Sequence, residues 1–227
     1  MEQDEAVQGL YPFLYGKDKD PARDRAGLLS SVIHKMEESV AVKQRFFEQH
    51  GPQLVAMAEA LAAVFADQGV LFTMGNGGSS CDADHLAVEF MHPITTGRPA
   101  LPAHSLTVDQ SMLTAIGNDI GFAHVFLRQL TALAKPKDAL FGFSTSGNSQ
   151  NLMLAYQKAR DLRMRTFGLA GMEGGAMVES GLVDHILVVP SDSIHRIQES
   201  HVTAYHILWD LVHTLLADCR GNLSKEL

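Results

Sequence analysis

Three short stretches of this chain concentrate side chains able to do chemistry. The first, GNGGSSCDADHLAVE, spans residues 75–89 and places His85 and Glu89 four residues apart after a glycine-rich turn. On a helix that spacing puts both on one face about one turn apart, which suits metal ligation or acid/base work, with a surface ion pair as the plain alternative. The second, RIQESHVTAYH (196–206), carries Gln198, His201 and His206. Gln198 and His206 align within about 80° on a helix but lie about 12 Å apart along its axis. Either both side chains stretch toward a shared centre, or they serve different sites or sites completed by another chain. His201 falls on the apolar side, where a hydrogen-bonded structural histidine is expected. The third stretch, STSGNS (144–149), sets three hydroxyls in a row before Gly147, Asn148 and Ser149. Capping a helix takes one such group, with Ser146 or Asn148 expected in that role, and the remainder suit a ligand.

The glycine turn GNGGSS (75–80) is not a nucleotide loop of a familiar kind. Gly75-x-Gly77-x-x-Ser80 lacks the third glycine of the dinucleotide fingerprint, and no Gly-Lys-Ser/Thr follows it. Glycines still let backbone approach a ligand closely, and the free N–H groups of a following helix favour an anion. Neutral donors and helix dipoles from two such loops can hold a phosphomonoester without a lysine. Asn118 and Asp119, in GND (117–119), would take sugar hydroxyls or cap a helix. His92, His104, His124, His185 and His213 have no argued partner and are read as structural or exposed.

The elements that must position these residues follow from apolar spacing. VLFTM (70–74), AHSLTV (103–108), ALFGF (139–143), RTFGLA (165–170) and HILVVP (185–190) read as strands. Helical stretches alternate with them at 80–92, at 109–134 in two pieces, at 149–162 and near 174–180. A long helix over 194–217 closes the chain. Ahead of the first strand, Leu29, Val32, Ile33 and Met36 share one helical face, and 53–69 forms a second run ending at Gly69. These two are expected to pair as a helical hairpin. Strand–helix alternation implies an α/β fold with a mostly parallel sheet, whose ligands sit outside the carboxyl ends of the strands. No internal repeat or low-complexity segment interrupts it.

Composition narrows the class. The 227 residues carry a formal charge of −8 with no Lys/Arg run, which disfavours a nucleic-acid partner. Hydrophobic residues at 46% against 19% charged suggest a surface partly covered by other subunits. No run approaches the roughly 18 apolar residues of a membrane span, and the acidic N-terminus is no secretory signal. Cys81 and Cys219 make no disulfide framework, so reduced thiols and a cytoplasmic location are expected.

Taken in order, GNGGSSCDADHLAVE, GND, STSGNSQN and RIQESHVTAYH resemble the phosphoheptose isomerases, which are sugar-isomerase (SIS) domain proteins. The resemblance runs from about residue 30 to 217. It implies a three-layer fold with a parallel five-stranded sheet flanked by helices and an N-terminal helical hairpin. The domain layout expected is an arm at 1–25 and one SIS domain at 26–227. It implies an aldose–ketose isomerase that interconverts sedoheptulose 7-phosphate and D-glycero-D-manno-heptose 7-phosphate through an enediol. Carried over by position, Glu89 and His206 are the acid/base pair, and His85, Glu89, Gln198 and His206 are zinc ligands. Asn76, Gly77, Gly78, Ser79, Asn118, Asp119 and Gln198 meet the sugar, while Ser144, Thr145, Ser146 and Ser149 meet its phosphate. A homotetramer with sites at subunit interfaces is implied as well. Two places depart from the family pattern. His195 precedes Arg196-Ile197-Gln198 where an aspartate is common, and Met91-His92-Pro93 follows Glu89-Phe90 where Thr-Gly-Arg is usual, with Arg98 further along. These departures keep two alternatives in view, an isomerase of another phosphosugar and a non-catalytic SIS adaptor.

Overall fold

The computed structural model describes residues 21–94 and 97–217, with side chains from residue 25 onward. Residues 1–20 of the expected arm lie outside the described residues, and a helix has already begun at Pro21. The chain divides into two compact units at the Val40–Ala41 bond.

In place of the expected hairpin, one helix, α1, runs Pro21–Ala66. A hairpin needs a break between its two runs, and Gly51-Pro52 lies there, since a proline inside a helix lacks the N–H and clashes with the preceding turn, at roughly 3 kcal/mol. The helix runs through because the apolar stripe does. Phe46, Leu54, Met57, Leu61 and Phe65 recur at helical spacing on both sides of Pro52, and all are buried. Burying one such side chain contributes about 1.5–3 kcal/mol, so the stripe outweighs the proline. His50 Nε2 also donates to the Val188 carbonyl oxygen, 3.1 Å away, just before the Gly-Pro pair. On the other unit's side of the division, Leu28, Leu29, Val32, Ile33, Met36 and Val40 of this helix are exposed.

The five expected strands form. They are β1 (Leu71–Gly75), β2 (Ala103–Ser105), β3 (Ala139–Ser144), β4 (Arg165–Gly171) and β5 (His185–Val189). All neighbours pair in parallel, in the order β2-β1-β3-β4-β5. Between and after them lie α2 (Gly78–Met91), α3 (Gln110–Asp119), a short 3-10 turn (Phe122–His124), α4 (Val125–Leu133), α5 (Gln150–Asp161), α6 (Gly175–Glu179) and α7 (Ile194–Leu215). β2 is shorter than 103–108, although Leu106 N–H still donates to Thr73 O at 2.9 Å.

Alternation along the strands splits the core into two layers. Leu71, Phe141, Phe143 and Phe167 face one cluster with Phe46, Phe65, Phe90 and Tyr205. Phe72, Met74 and Leu140 face the other with Val125, Phe126, Leu130 and Tyr156. Helices therefore cover both faces, as a wholly parallel sheet requires. The strand order reverses direction between β1 and β3, and ligands in such sheets bind at that switch point, outside the carboxyl ends. β1 ends at the glycine turn and β3 ends at the hydroxyl loop.

Candidate active site

The first loop is built by close approaches at its glycines. A methyl group on Gly75 would collide with the Ser79 carbonyl oxygen, and one on Gly78 would collide with the Gln198 amide nitrogen. Gly77 takes φ 56°, ψ −125° at the start of α2, where no side chain caps the helix. Ser80 Oγ donates to Gly77 O at 2.7 Å, and Ser79 is buried. The sequence offered Gln198 as both a sugar contact and a metal ligand. Its amide lies against Gly78 of this loop.

The second loop spends some of its hydroxyls on its own shape. Ser144 Oγ accepts from Gly147 N–H at 3.0 Å and lies 3.4 Å from Ser149 Oγ. Gly147 has φ 68°, and Asn148 Oδ1 accepts from Ala176 N–H at 2.9 Å. The N-cap of α5 is Ser149, rather than Ser146 or Asn148, and its hydroxyl makes no capping bond. Thr145, Ser146 and Ser149 are half-buried. A groove of about 720 Å³ borders this loop, lined by Ser146, Asn148, Glu173, Ser191 and Asp192 among others.

The two loops are joined by a residue the sequence reading missed. Asn76 Nδ2 donates to Asn151 Oδ1 at 2.9 Å, and Asn151 Nδ2 donates back to Asn76 Oδ1 at 2.8 Å. Asn151 is 3% exposed, in the first turn of α5. The Asn76 side chain, expected at the sugar, is thus engaged in this reciprocal pair. A signal was present, since Asn151 is an amide on the helix face that also carries Leu152 and Ala155.

α2 buries Ser79, Asp82, Ala83, Leu86, Ala87 and Phe90, a stripe that leaves His85 and Glu89 at its rim. His85 Nε2 lies 3.0 Å from Glu89 Oε1, with side chains 43% and 23% exposed. On α7 the buried stripe includes Ala204, Tyr205, Leu208 and Trp209, which leaves His206 beside it and exposed. The His85 and His206 rings meet edge to face with centroids 5.1 Å apart. One ligand atom from each of His85, Glu89 and His206 lies within 4.8 Å of the others. Two imidazoles and a carboxylate at that spacing suit a borderline metal ion. Partial burial, then the neighbouring His85, hold the His206 pKa below the usual imidazole range, against an opposing pull from Glu89. Its lone pair is therefore free near neutral pH.

Deeper in, Asp82 is buried, its Oδ2 has no hydrogen-bond partner, and burial pushes its carboxyl up to about 6. His201 is wholly buried and donates from Nε2 to Ala170 O at 3.1 Å, the structural role its position suggested. Asn118 and Asp119 end α3, are exposed, and hydrogen-bond to one another at 2.8 Å. Within one chain they make no hydrogen bond to either loop. Arg98 is turned to α7, pairing with Asp210 at 2.5 Å and stacking over Trp209, while His195 is exposed at the start of that helix.

A parallel sheet with two donor-rich loops at its switch point, and a His/Glu/His cluster between the helix that leaves the first loop and α7, defines a phosphosugar-binding α/β protein of the SIS class. The SIS domain family matches residues 36–171. The phosphoheptose isomerase of Solidesulfovibrio magneticus is 49% identical over 199 residues, covering 88% of this chain and 96% of that one. Solved phosphoheptose isomerases of Neisseria gonorrhoeae and Francisella tularensis superpose with TM-scores of 0.77 and 0.78 at 36% and 33% identity. Each covers 82% of this chain, and 99% and 98% of its own respectively. The chain belongs to the phosphoheptose isomerase family of SIS domain proteins, and it is an isomerase. Among the described residues, no helix is long and apolar enough to cross a membrane.

Proposed function

We propose that this chain converts sedoheptulose 7-phosphate to D-glycero-D-manno-heptose 7-phosphate by proton transfer through an enediol. The observation that carries this reading is the convergence of His85 and Glu89, on the helix that leaves the first switch-point loop, with His206 of α7. Thr145, Ser146 and Ser149, on a turn shaped by Ser144, bind the phosphate with the N-terminus of α5 behind them. Gly77, Gly78, Ser79 and Gln198 line the sugar, and Asn118 and Asp119 reach its hydroxyls from a neighbouring subunit. Glu89 takes the proton from the carbon beside the carbonyl and returns it to the adjacent carbon, while His206 serves the carbonyl oxygen. Anchoring the phosphate aligns the reacting carbons with both groups.

His85, Glu89 and His206, with Gln198 as a fourth ligand, would hold a zinc ion. Bound there, zinc would polarise the sugar carbonyl as a Lewis acid. The fit of the donor set supports this, since each of the three offers a ligand atom within 4.8 Å of the others. The proposed assembly is a homotetramer in the cytoplasm. The exposed apolar face Leu28, Leu29, Val32, Ile33, Met36 and Val40 supports burial against other copies. The openness of the triad supports completion of the site by a neighbour. A SIS adaptor would not need the triad, which argues against that alternative. His195 and the Met91–His92–Pro93 segment favour one second reading, isomerisation of another phosphosugar, which a substrate panel would separate.

The test is NMR detection of product after mixing the protein with sedoheptulose 7-phosphate, before and after chelation and zinc re-addition. Aldoheptose 7-phosphate that disappears on chelation and returns with zinc is the expected result. Turnover indifferent to a chelator that strips the metal would remove zinc from the mechanism. No turnover by folded, zinc-loaded protein would overturn the heptose reading in favour of another phosphosugar.

A further inference from the structure

α2 and α7 each present two residues four positions apart that meet across the gap between them. The α2 pair is His85 and Glu89, and the α7 pair is Tyr205 and Trp209. Tyr205 Oη lies 2.7 Å from His85 Nδ1, and Trp209 Nε1 donates to the Glu89 carbonyl oxygen over 2.8 Å. Residues four apart share a helix face one turn apart, so these bonds form two successive rungs. Both rungs end on residues of the metal-binding triad, one on a side chain and one on backbone.

We infer that Tyr205 and Trp209 are positioning residues, holding the His85 ring and the Glu89 turn in place for a metal ion. The inference rests on the metal reading above, and the rungs explain how a site at the rim of two helices keeps its geometry.

The Tyr205 rung depends on which nitrogen of His85 carries the proton. A metal takes an imidazole nitrogen through its lone pair, and the hydrogen bond at the other nitrogen sets the tautomer. Here Nε2 faces Glu89 Oε1 at 3.0 Å, and an ionised carboxylate only accepts. When the metal-free ring is neutral, this geometry puts its proton on Nε2, and Nδ1 accepts from the Tyr205 hydroxyl. Ligation through Nε2 requires the proton on Nδ1, which then donates to the Tyr205 oxygen. A hydroxyl satisfies Nδ1 in both states because it donates or accepts. A carboxylate there would only accept, and a backbone N–H would only donate. Tyr205 is 1% exposed, so its partners come from the protein and the rung stays fixed.

The Trp209 rung closes the end of α2. The last carbonyls of a helix have no helical N–H partner. α2 ends at Met91, and its Val88 and Phe90 carbonyls take the N–H groups of His92 and Leu101, each at 2.8 Å. The Glu89 carbonyl between them takes the Trp209 indole. Arg98 holds that indole in turn, with its Cζ 4.4 Å from the ring centroid and its guanidinium on Asp210.

Tyr205→Phe and Trp209→Phe each delete one donor and keep an aromatic ring, with folding checked by circular dichroism. Zinc binding to the metal-stripped full chain, measured by calorimetry, should weaken about 10- to 100-fold in Tyr205→Phe, the range for lost partners of metal-binding histidines. Trp209→Phe should weaken it about fivefold, one hydrogen bond's worth. The nitrogen-15 spectrum of His85, assigned by its loss in His85→Gln, gives a readout that mere packing would not move. The unaltered metal-free protein should show one tautomer, protonated on Nε2, and Tyr205→Phe should show a mixture. A mixed population in the unaltered protein overturns the Tyr205 rung without any variant. An unchanged His85 spectrum in Tyr205→Phe overturns it as well, and so does zinc affinity within twofold of the unaltered protein in both variants. If the unaltered protein binds no zinc, the metal reading falls by itself. The histidine spectrum then still decides whether Tyr205 positions His85.

Discussion

Replacing Asn151 by alanine would cut the link between the two ligand loops. The perturbation removes both reciprocal bonds to Asn76, at 2.9 and 2.8 Å, and leaves an amide without its partner at the end of β1. Each such bond contributes about 1 kcal/mol net. Asn151 is 3% exposed while Asn76 is half-buried, so water recovers part of the loss on one side only. The expected destabilisation is therefore roughly 2 kcal/mol. With a urea slope of about 2 kcal/mol per molar, the unfolding midpoint should fall by about 1 M. The link also spaces the glycine loop from the hydroxyl loop, so on the proposed function KM for the phosphosugar should rise by more than kcat falls. Asn76→Ala should behave alike, and the double variant should lose little more than either alone, with a coupling of about 1–2 kcal/mol. A midpoint shift below about 0.2 M with KM unchanged, or strictly additive single losses, would refute the reasoning.

Three further outcomes are expected. Gly78→Ala pushes a methyl group into the Gln198 amide, the far end of a flexible side chain, so melting should shift little while KM rises several-fold. A fully active Gly78→Ala enzyme would separate Gln198 from substrate. Burial lowers the His201 pKa to about 4, against about 6.5 when unfolded, so the unfolded chain binds more protons between those values. Stability from this group should fall by up to about 3 kcal/mol as pH drops from 6.5 to 4. Asp82 acts oppositely. Its carboxyl at about 6 lies above the unfolded 3.8, so its ionisation weakens the fold as pH rises through that interval. Asp82→Asn should therefore stabilise the metal-free protein at pH 7 and steepen its acid-side decline in urea titrations. An unchanged pH profile in that variant would count against a neutral buried Asp82.

Much of the architecture was legible because strands buried on both faces must be continuously apolar, and all five runs became strands of one parallel sheet. The loops were legible because glycines and hydroxyls at strand ends have few other uses. The helix of 46 residues was not, since local rules put a break at Gly51-Pro52 while burial of Phe46, Leu54 and Met57 carried the helix through. Tyr205 and Trp209 read as two more apolar-face residues of α7, and their polar atoms gained meaning only from what α2 set opposite them.

Spacing along the chain determined which residues share a helix face, and so His85 and Glu89 were paired from sequence alone. Spacing could not bring His206 to them across the 116 residues that separate it from Glu89, nor turn the Gln198 amide toward Gly78. Local periodicity is set by backbone geometry within a few residues. Meetings between distant segments are set by which apolar faces bury against each other, and here the packing of α2 against α7 made the site.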